Sequence, residues 1–238
     1  MRADARPPDA LRPVSFQLGY QRFAEGSVLI EVGNTRVLCS ASAEDRVPAF
    51  RKGTGEGWVT AEYSLLPRST LVRSPRESVR GRVSGRTHEI QRAIGRALRA
   101  VTELPALGER TIWLDCDVLQ ADGGTRTAAI TGSCVALALA LRRLRSDGHI
   151  ESDPLRGLVA AVSAGVVGGE VLLDLDYSED FAAEVDLNVA KTDGGLYVDI
   201  GGAAESQPFD GSRLDELLGL AGKGISELHE LQRRALEE

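Results

Sequence analysis

The stretch AAITGSCVALALALRRLRS, residues 128–146, constrains this chain more than any other. Its long apolar run predicts a buried helix, and its basic end suits the C-terminal pole of the helix dipole. Asp147 and Gly148 supply a stop. A helix buried this thoroughly requires other elements packed around it. The segment before it, TIWLDCDVLQAD, residues 111–122, alternates. Ile112, Leu114, Cys116 and Val118 share one face, Asp115 and Asp117 the other, which predicts a strand. Strand and helix are joined by GGTR, with the strand expected to end near Asp122 and the helix to begin near Thr127.

Other elements follow from the same rules. Residues 27–44 read as two strands around a Gly33-Asn34 turn. Residues 1–13 read as an irregular lead-in and 49–60 as a loop. Residues 87–104 read as a helix with Ile90, Ala93, Ile94, Ala97, Leu98 and Val101 on one face. Strand pairs are expected around Gly168-Gly169 and around Asp193-Gly194-Gly195, and a closing helix opened by a capping Ser212. The expectation is a mixed α/β (α+β) chain of two similar halves, 1–150 and 151–238, packed as one body. At 238 residues the chain is long enough to bury a full core.

The GGTR junction poses the chemical question. Helix N-termini leave N–H groups unpaired and carry positive partial charge, and glycines let an anion approach them closely. Thr125 adds a hydroxyl and Arg126 a planar fork of donors that matches phosphate oxygens. The junction reads either as a phosphate site or as a tight turn whose arginine points to solvent.

Charge distribution bears on that choice. The net charge is −7, which excludes a polycation and leaves room only for a local basic patch. Such a patch is present: Arg68, Arg73, Arg76, Arg80, Arg82 and Arg86 lie in PRSTLVRSPRESVRGRVSGRT, a loop composition suited to phosphate backbones. Six acids follow in LDLDYSEDFAAEVDLNV. Asp180 and Asp186 bracket FAAEV and are candidates to converge on a Mg²⁺ or Mn²⁺ ion beside a phosphate; Asp174 and Asp176 read as a solvent-facing acidic loop. His88 reads as a surface or capping group, with a proton shuttle as the alternative. Trp58 and Tyr63 read either as base-stacking or as packing side chains. Cys39, Cys116 and Cys134 read as buried free thiols of a reducing compartment. The first residues lack an apolar signal-peptide core, and no uninterrupted apolar stretch of about 18 residues occurs, so a cytoplasmic protein with no membrane span is expected.

GWVTAEYSLLPRST, GRTHEIQRAIGRALRA, DCDVLQADGGTRTAAITG and LDLDYSEDFAAEVDLNV together resemble the motifs of bacterial ribonuclease PH, over about residues 10–235. The resemblance implies a phosphate-dependent exonuclease that trims tRNA precursors and other RNA 3′ ends, releases nucleoside 5′-diphosphates, and can run in reverse. It implies that Arg86, Gly124, Thr125 and Arg126 hold the attacking inorganic phosphate. Asp180 and Asp186 match the acidic pair assigned to metal or acid chemistry, with Mg²⁺ the expected ion. Arg68, Arg73 and Arg76 match positions expected to contact RNA or support a ring, and the family's ring is a homohexamer, a trimer of dimers. One segment departs from the family pattern: in DIGGAAES, Asp199, Gly201, Ala203 and Ser206 stand where Glu, Gln, Thr and Gly are usual. The competing classes are a non-catalytic RNA-binding ring subunit and a hydrolytic metallonuclease.

Overall fold

A computed structural model describes residues 2–205 and 207–237, with the side chains of all of these except Ser78 and Arg80. Strands β1 (Val14–Leu18), β2 (Gly26–Val32), β3 (Thr35–Glu44), β4 (Trp58–Leu65) and β5 (Thr111–Gln120) form one sheet in the order β1-β2-β3-β5-β4. All its pairings are antiparallel except β4 with β5. Strands β6 (Val159–Val167), β7 (Glu170–Leu173), β8 (Val185–Thr192) and β9 (Tyr197–Ala204) form a second, antiparallel sheet in the order β7-β6-β8-β9. Helices α1 (Gly85–Ala100), α2 (Thr125–Ser146), α3 (Tyr177–Ala182) and α4 (Gly211–Glu237) complete the chain.

The apolar run at 128–146 is α2, and it explains the two-sheet architecture. The helix packs on β2 and β3 of the first sheet and on β6 of the second, so almost no side of it faces water. By length and composition α2 is also apolar enough to cross a membrane, but most of it lies inside the protein. Gly132 lies where the helix presses close against the first sheet. A Cβ there would fall 2.7 Å from Ile30 Cγ2 and 2.9 Å from Cys39 Sγ, so any side chain would push helix and sheet apart. On the other flank Gln232 of α4 donates its side-chain N–H groups to the Thr131 and Val159 carbonyls, which fastens α4 to α2 and β6. The three cysteines are buried and free.

Several local expectations shift. The helix expected at 87–104 runs over Gly85–Ala100 because Ser84 caps it, its Oγ accepting from the Thr87 N–H at 3.1 Å. The span 49–60 is not all loop: Trp58 already starts β4, whose Val59, Ala61 and Tyr63 alternate into the core. The closing helix is capped by Asp210, whose Oδ1 accepts from the Arg213 N–H (2.9 Å) and from the Ser212 hydroxyl (3.0 Å), rather than by Ser212 itself. The lead-in is irregular as expected, with β1 following it at Val14, but three of its arginines, Arg2, Arg6 and Arg12, run into the interior.

Candidate active site

The helix α2 starts three residues earlier than its apolar run, so Thr125 and Arg126 belong to its first turn. Its N-cap is Gly124, in the left-handed region at φ 66° and ψ 25°, and no side chain caps it. Gly123 is left-handed too, at φ 78°. The first intrahelical bond runs from the Ala128 N–H to the Gly124 carbonyl, which leaves the N–H groups of the preceding turn directed outward with the positive end of a 22-residue dipole. The junction therefore has the features of an anion site.

Donors gather around it. The Thr125 hydroxyl lies 2.8 Å from the phenol oxygen of Tyr63, which burial and that contact hold in place; burial also pushes the phenol's pKa up, so it stays neutral. Tyr63 thus belongs to the site from beneath, as a support for Thr125, and is not a base-stacking surface. Replacing it by phenylalanine is expected to weaken anion binding at the junction about fivefold, the equivalent of roughly 1 kcal/mol for one hydrogen bond. The check is titration of the folded variant and the parent with inorganic phosphate. Arg126 donates from Nη2 to the Glu89 carboxylate of α1 at 2.6 Å. Arg86 sits on the first turn of the same helix, exposed, and its charge reaches Tyr63, Asp180 and Asp186.

Of the two candidate acids, Asp186 lies within reach of the Asp180 charge. Asp180 lies on α3 and Asp186 near the start of β8. Burial raises the Asp186 carboxyl to about 6, the neighbouring Asp180 charge adds to this, and Arg126, Asn188 and Arg86 oppose it. Asp180 is raised by burial and by Glu205, against the pull of Arg86, Arg12 and Arg126. The half-buried Asp186 feels the charge of the exposed Asp180, and guanidinium cations act on both, two on Asp186 and three on Asp180, which makes a small polar chamber of both signs. Among the described residues no group of three or more His, Cys, Asp or Glu is placed to hold a metal. A Mg²⁺ ion takes one or two carboxylates with the rest of its shell from water and substrate phosphates, so the Asp180–Asp186 pair fits it.

The helix α3 was missed in the sequence, although D-x-x-E at 176–179 is a capping-box signature. Asp176 accepts from the Ser178 and Glu179 N–H groups, and Glu179 reaches back to the Asp176 N–H. Asp174 and Asp176 are therefore not a solvent-facing loop. Asp174 is 2% exposed and bound to Arg12, and Asp176 is a helix cap whose N–H partners lower its pKa against the upward push of burial.

Arg68, Arg73 and Arg76 stay outside the chamber, on an exposed loop. Arg68 donates to the Leu71 carbonyl, and the Arg76 charge is felt by Asp117 on β5. His88 is exposed and contacts Gln91. Trp58 is engaged within its own chain: Arg99 and Arg51 lie 4.3 and 5.0 Å from its ring centroid, and Phe50 meets it edge-on. In the departing segment, Asp199 accepts from Arg96 at 2.8 Å. A Cβ on Gly201 would lie 3.9 Å from Arg126 Nη1, so β9 passes beside the junction; Ser206 lies outside the described residues.

Two sheets around a shared buried helix, whose start carries no side-chain cap and whose Arg126 is felt by Asp180 and Asp186, define a mixed α/β protein with a charged polar site at the α2 junction. The chain belongs to the 3′ exoribonuclease family: residues 10–142 match the model of its domain 1 and residues 157–224 that of its domain 2. It is 56% identical over 235 residues to Ribonuclease PH of Syntrophomonas wolfei, covering 99% of this chain and 98% of that one. It is 57% identical over 236 residues to Ribonuclease PH of Moorella thermoacetica, covering 99% and 94%. Its fold matches an Archaeoglobus fulgidus exosome structure with RNA bound to the active site, with a TM-score of 0.80 at 22% identity, over 96% of this chain and 91% of that one.

Proposed function

We propose that this chain is a phosphorolytic 3′-to-5′ exoribonuclease acting on tRNA precursors and other RNA 3′ ends. The observation that carries the reading is the start of α2 at Gly124, which has no side-chain cap and carries Arg126 in its first turn, with Arg126 and Arg86 both acting on Asp186. Gly124, Thr125, Arg126 and Arg86 hold inorganic phosphate, whose oxygen attacks the last phosphodiester. The bond from that phosphorus to the 3′ oxygen of the penultimate nucleotide breaks. The products are a nucleoside 5′-diphosphate and an RNA one nucleotide shorter. The proton carried by the attacking hydrogenphosphate balances the one gained by the leaving 3′ oxygen. One phosphate-linked bond replaces another, which makes the step reversible.

Negative charge builds on the transferring group, and the fixed N–H groups, Arg86 and Arg126 stabilise it. Asp186, with a pKa of about 6, can hold or release a proton near neutral pH, which suits relay to the leaving oxygen. Asp180 and Asp186 are also the residues that would hold Mg²⁺, which would supply further neutralisation of phosphoryl charge.

The 1–150 and 151–238 halves act as one body in this reading, and the working form is a homohexameric ring in the cytoplasm. Leu71, Val72 and Val79 support assembly: they are strongly exposed apolar side chains on the same loop as Arg68, Arg73 and Arg76, a combination that suits a surface covered by another subunit next to an RNA path. Charge reversal, as in Arg73→Glu or Arg76→Glu, is expected to weaken binding of long RNA and to reduce its salt dependence, with phosphate KM unchanged. Titration of labelled RNA at two salt concentrations reads this.

The deciding experiment is product analysis on a 3′-extended tRNA with Mg²⁺, with and without phosphate. Nucleoside diphosphates that appear only with phosphate support the reading. Monophosphates released regardless of phosphate identify a hydrolase, and intact RNA binding without product identifies a non-catalytic ring subunit.

A further inference from the structure

The anion site is supported from behind by a buried ionic cluster that none of the chemistry above uses. Arg12 is 4% exposed. Its backbone N–H and Nε both donate to Asp174 Oδ2, at 2.8 and 3.0 Å, and its Nη2 donates to Oδ1 at 2.7 Å. The same guanidinium donates from Nη1 to the Asp122 carbonyl and from Nη2 to the Gly123 carbonyl. Those two carbonyls belong to the residues that lead directly into Gly124. A Cβ on Gly124 would lie 3.0 Å from Arg12 Nη2, so the guanidinium lies against the junction itself.

The other side of the cluster holds α3. A Cβ on Gly123 would fall 2.5 Å from the Leu175 carbonyl oxygen and 2.6 Å from the Asp176 carbonyl carbon, so the junction touches the residues that start α3. Arg2 grips Glu179 with two bonds of 2.7 Å, and Arg2 and Arg6 both donate to the Asp174 carbonyl at 3.1 Å. Glu179 is part of the capping box of α3, and the next residue is Asp180. Asp174 holds a left-handed conformation, φ 54°, which L residues adopt only where the surroundings over-determine it.

A cluster serving stability alone gains little from this chemistry, because apolar packing of the same volume stabilises as well as a buried ion pair does. What apolar side chains cannot supply is a rigid fork bonded at once to the carbonyls of the junction and to the carboxylate at the root of α3. We propose that Arg12, held by Asp174, is a positioning residue for phosphorolysis: it fixes the start of α2, which receives the phosphate, relative to the helix that carries Asp180. This rests on the phosphate reading of the junction.

The test uses the full-length protein with Arg12→Lys, Arg12→Met and Asp174→Asn. Phosphate KM, kcat and RNA affinity are measured alongside thermal unfolding. Lysine keeps the charge opposite Asp174 but has no fork to span Asp174 and both carbonyls. Asparagine tolerates the left-handed backbone and removes the counter-charge. For Arg12→Lys we expect kcat/KM for phosphate to fall at least about tenfold, since an ångström of misplacement can cost on the order of a hundredfold. RNA affinity stays at the unmodified value. Asp174→Asn gives the same split and carries the test if neither Arg12 variant folds. Unmodified phosphate kinetics in folded Arg12→Lys or Asp174→Asn, whatever the change in melting temperature, overturns the proposal. Arg126→Ala run in parallel separates the two failures. If it loses phosphate use while Arg12→Lys does not, only the positioning role falls. If Arg126→Ala also keeps its phosphate KM, the junction itself is misread and the positioning role falls with it.

Discussion

An Arg126→Ala variant is expected to lose most phosphate-dependent turnover while remaining folded. Charge-assisted hydrogen bonds contribute about 1.5–3 kcal/mol each, so the loss of one fork bond to phosphate raises KM roughly tenfold to a hundredfold. The loss of charge at the phosphoryl group then lowers kcat as well. Folding is little affected, because the partner of Arg126 within the chain is Glu89, a partly exposed carboxylate on α1, and ion pairs of that kind contribute little. The measurement is initial rate against phosphate concentration at saturating RNA, with melting temperature recorded beside it. Unchanged phosphate KM and kcat would remove the α2 start from the reaction.

The second large effect is expected from Asp186→Asn, and it has two readouts that move in opposite directions. Turnover is abolished while RNA still binds, because the chamber loses both its relay group and half of its carboxylate pair. Stability rises at neutral pH. The Asp186 carboxyl is raised from 3.8 to about 6, so the folded state holds its proton more tightly than the unfolded chain does. The penalty for sheltering the charged form is fully present above about 6, shrinks as pH falls through that value, and is gone below 3.8. The asparagine variant is therefore expected to melt at a higher temperature than the parent at pH 7.5, with the gain disappearing as the pH approaches 3.8. A gain that grows toward acid pH would contradict the assigned direction, and near-normal turnover would discredit the acidic pair. A stabilised but inactive variant is the usual sign of a site that holds like charges together for chemistry.

The sequence revealed some parts of this site and concealed others, for physical reasons. The alternation in 111–122 and the apolar run after it are long periodic signals, and both became the elements expected, β5 and α2. The junction between them was readable because glycine, threonine and arginine are adjacent in the chain. Asp180 and Asp186 were readable as candidates from their placement around FAAEV, and the motif resemblance singled out the same pair, since spacing alone does not tell which way two acids point. Arg12, Asp174 and Tyr63 were not readable as site residues. Their partners lie 110, 162 and 62 residues away, so no local pattern records the contact. Asp174 reads in the sequence as part of a solvent-facing acidic loop because it alternates with leucines among other acids, whereas a buried arginine partner reverses that inference. Trp58 was ambiguous in the sequence because an aromatic beside arginines suits both a base and an internal cation–π contact, and the structure places Arg51 and Arg99 on its ring.

The ionic cluster behind the junction also sets an order of events during synthesis. Arg12 and Arg2 leave the ribosome early, whereas their partners follow 162 and 177 residues later. The first sheet and α2 can collapse before then, but the carbonyls of Asp122 and Gly123 would meet Arg12 without its counter-charge. Contacts of such long sequence separation close late and slowly. A nascent chain therefore carries Arg86 and the Gly124–Arg126 junction through much of its translation without the Arg12–Asp174 contact behind them. On the proposed reading, turnover is withheld until the segment around Asp174 and Glu179 has emerged, so a prematurely terminated product would not shorten RNA.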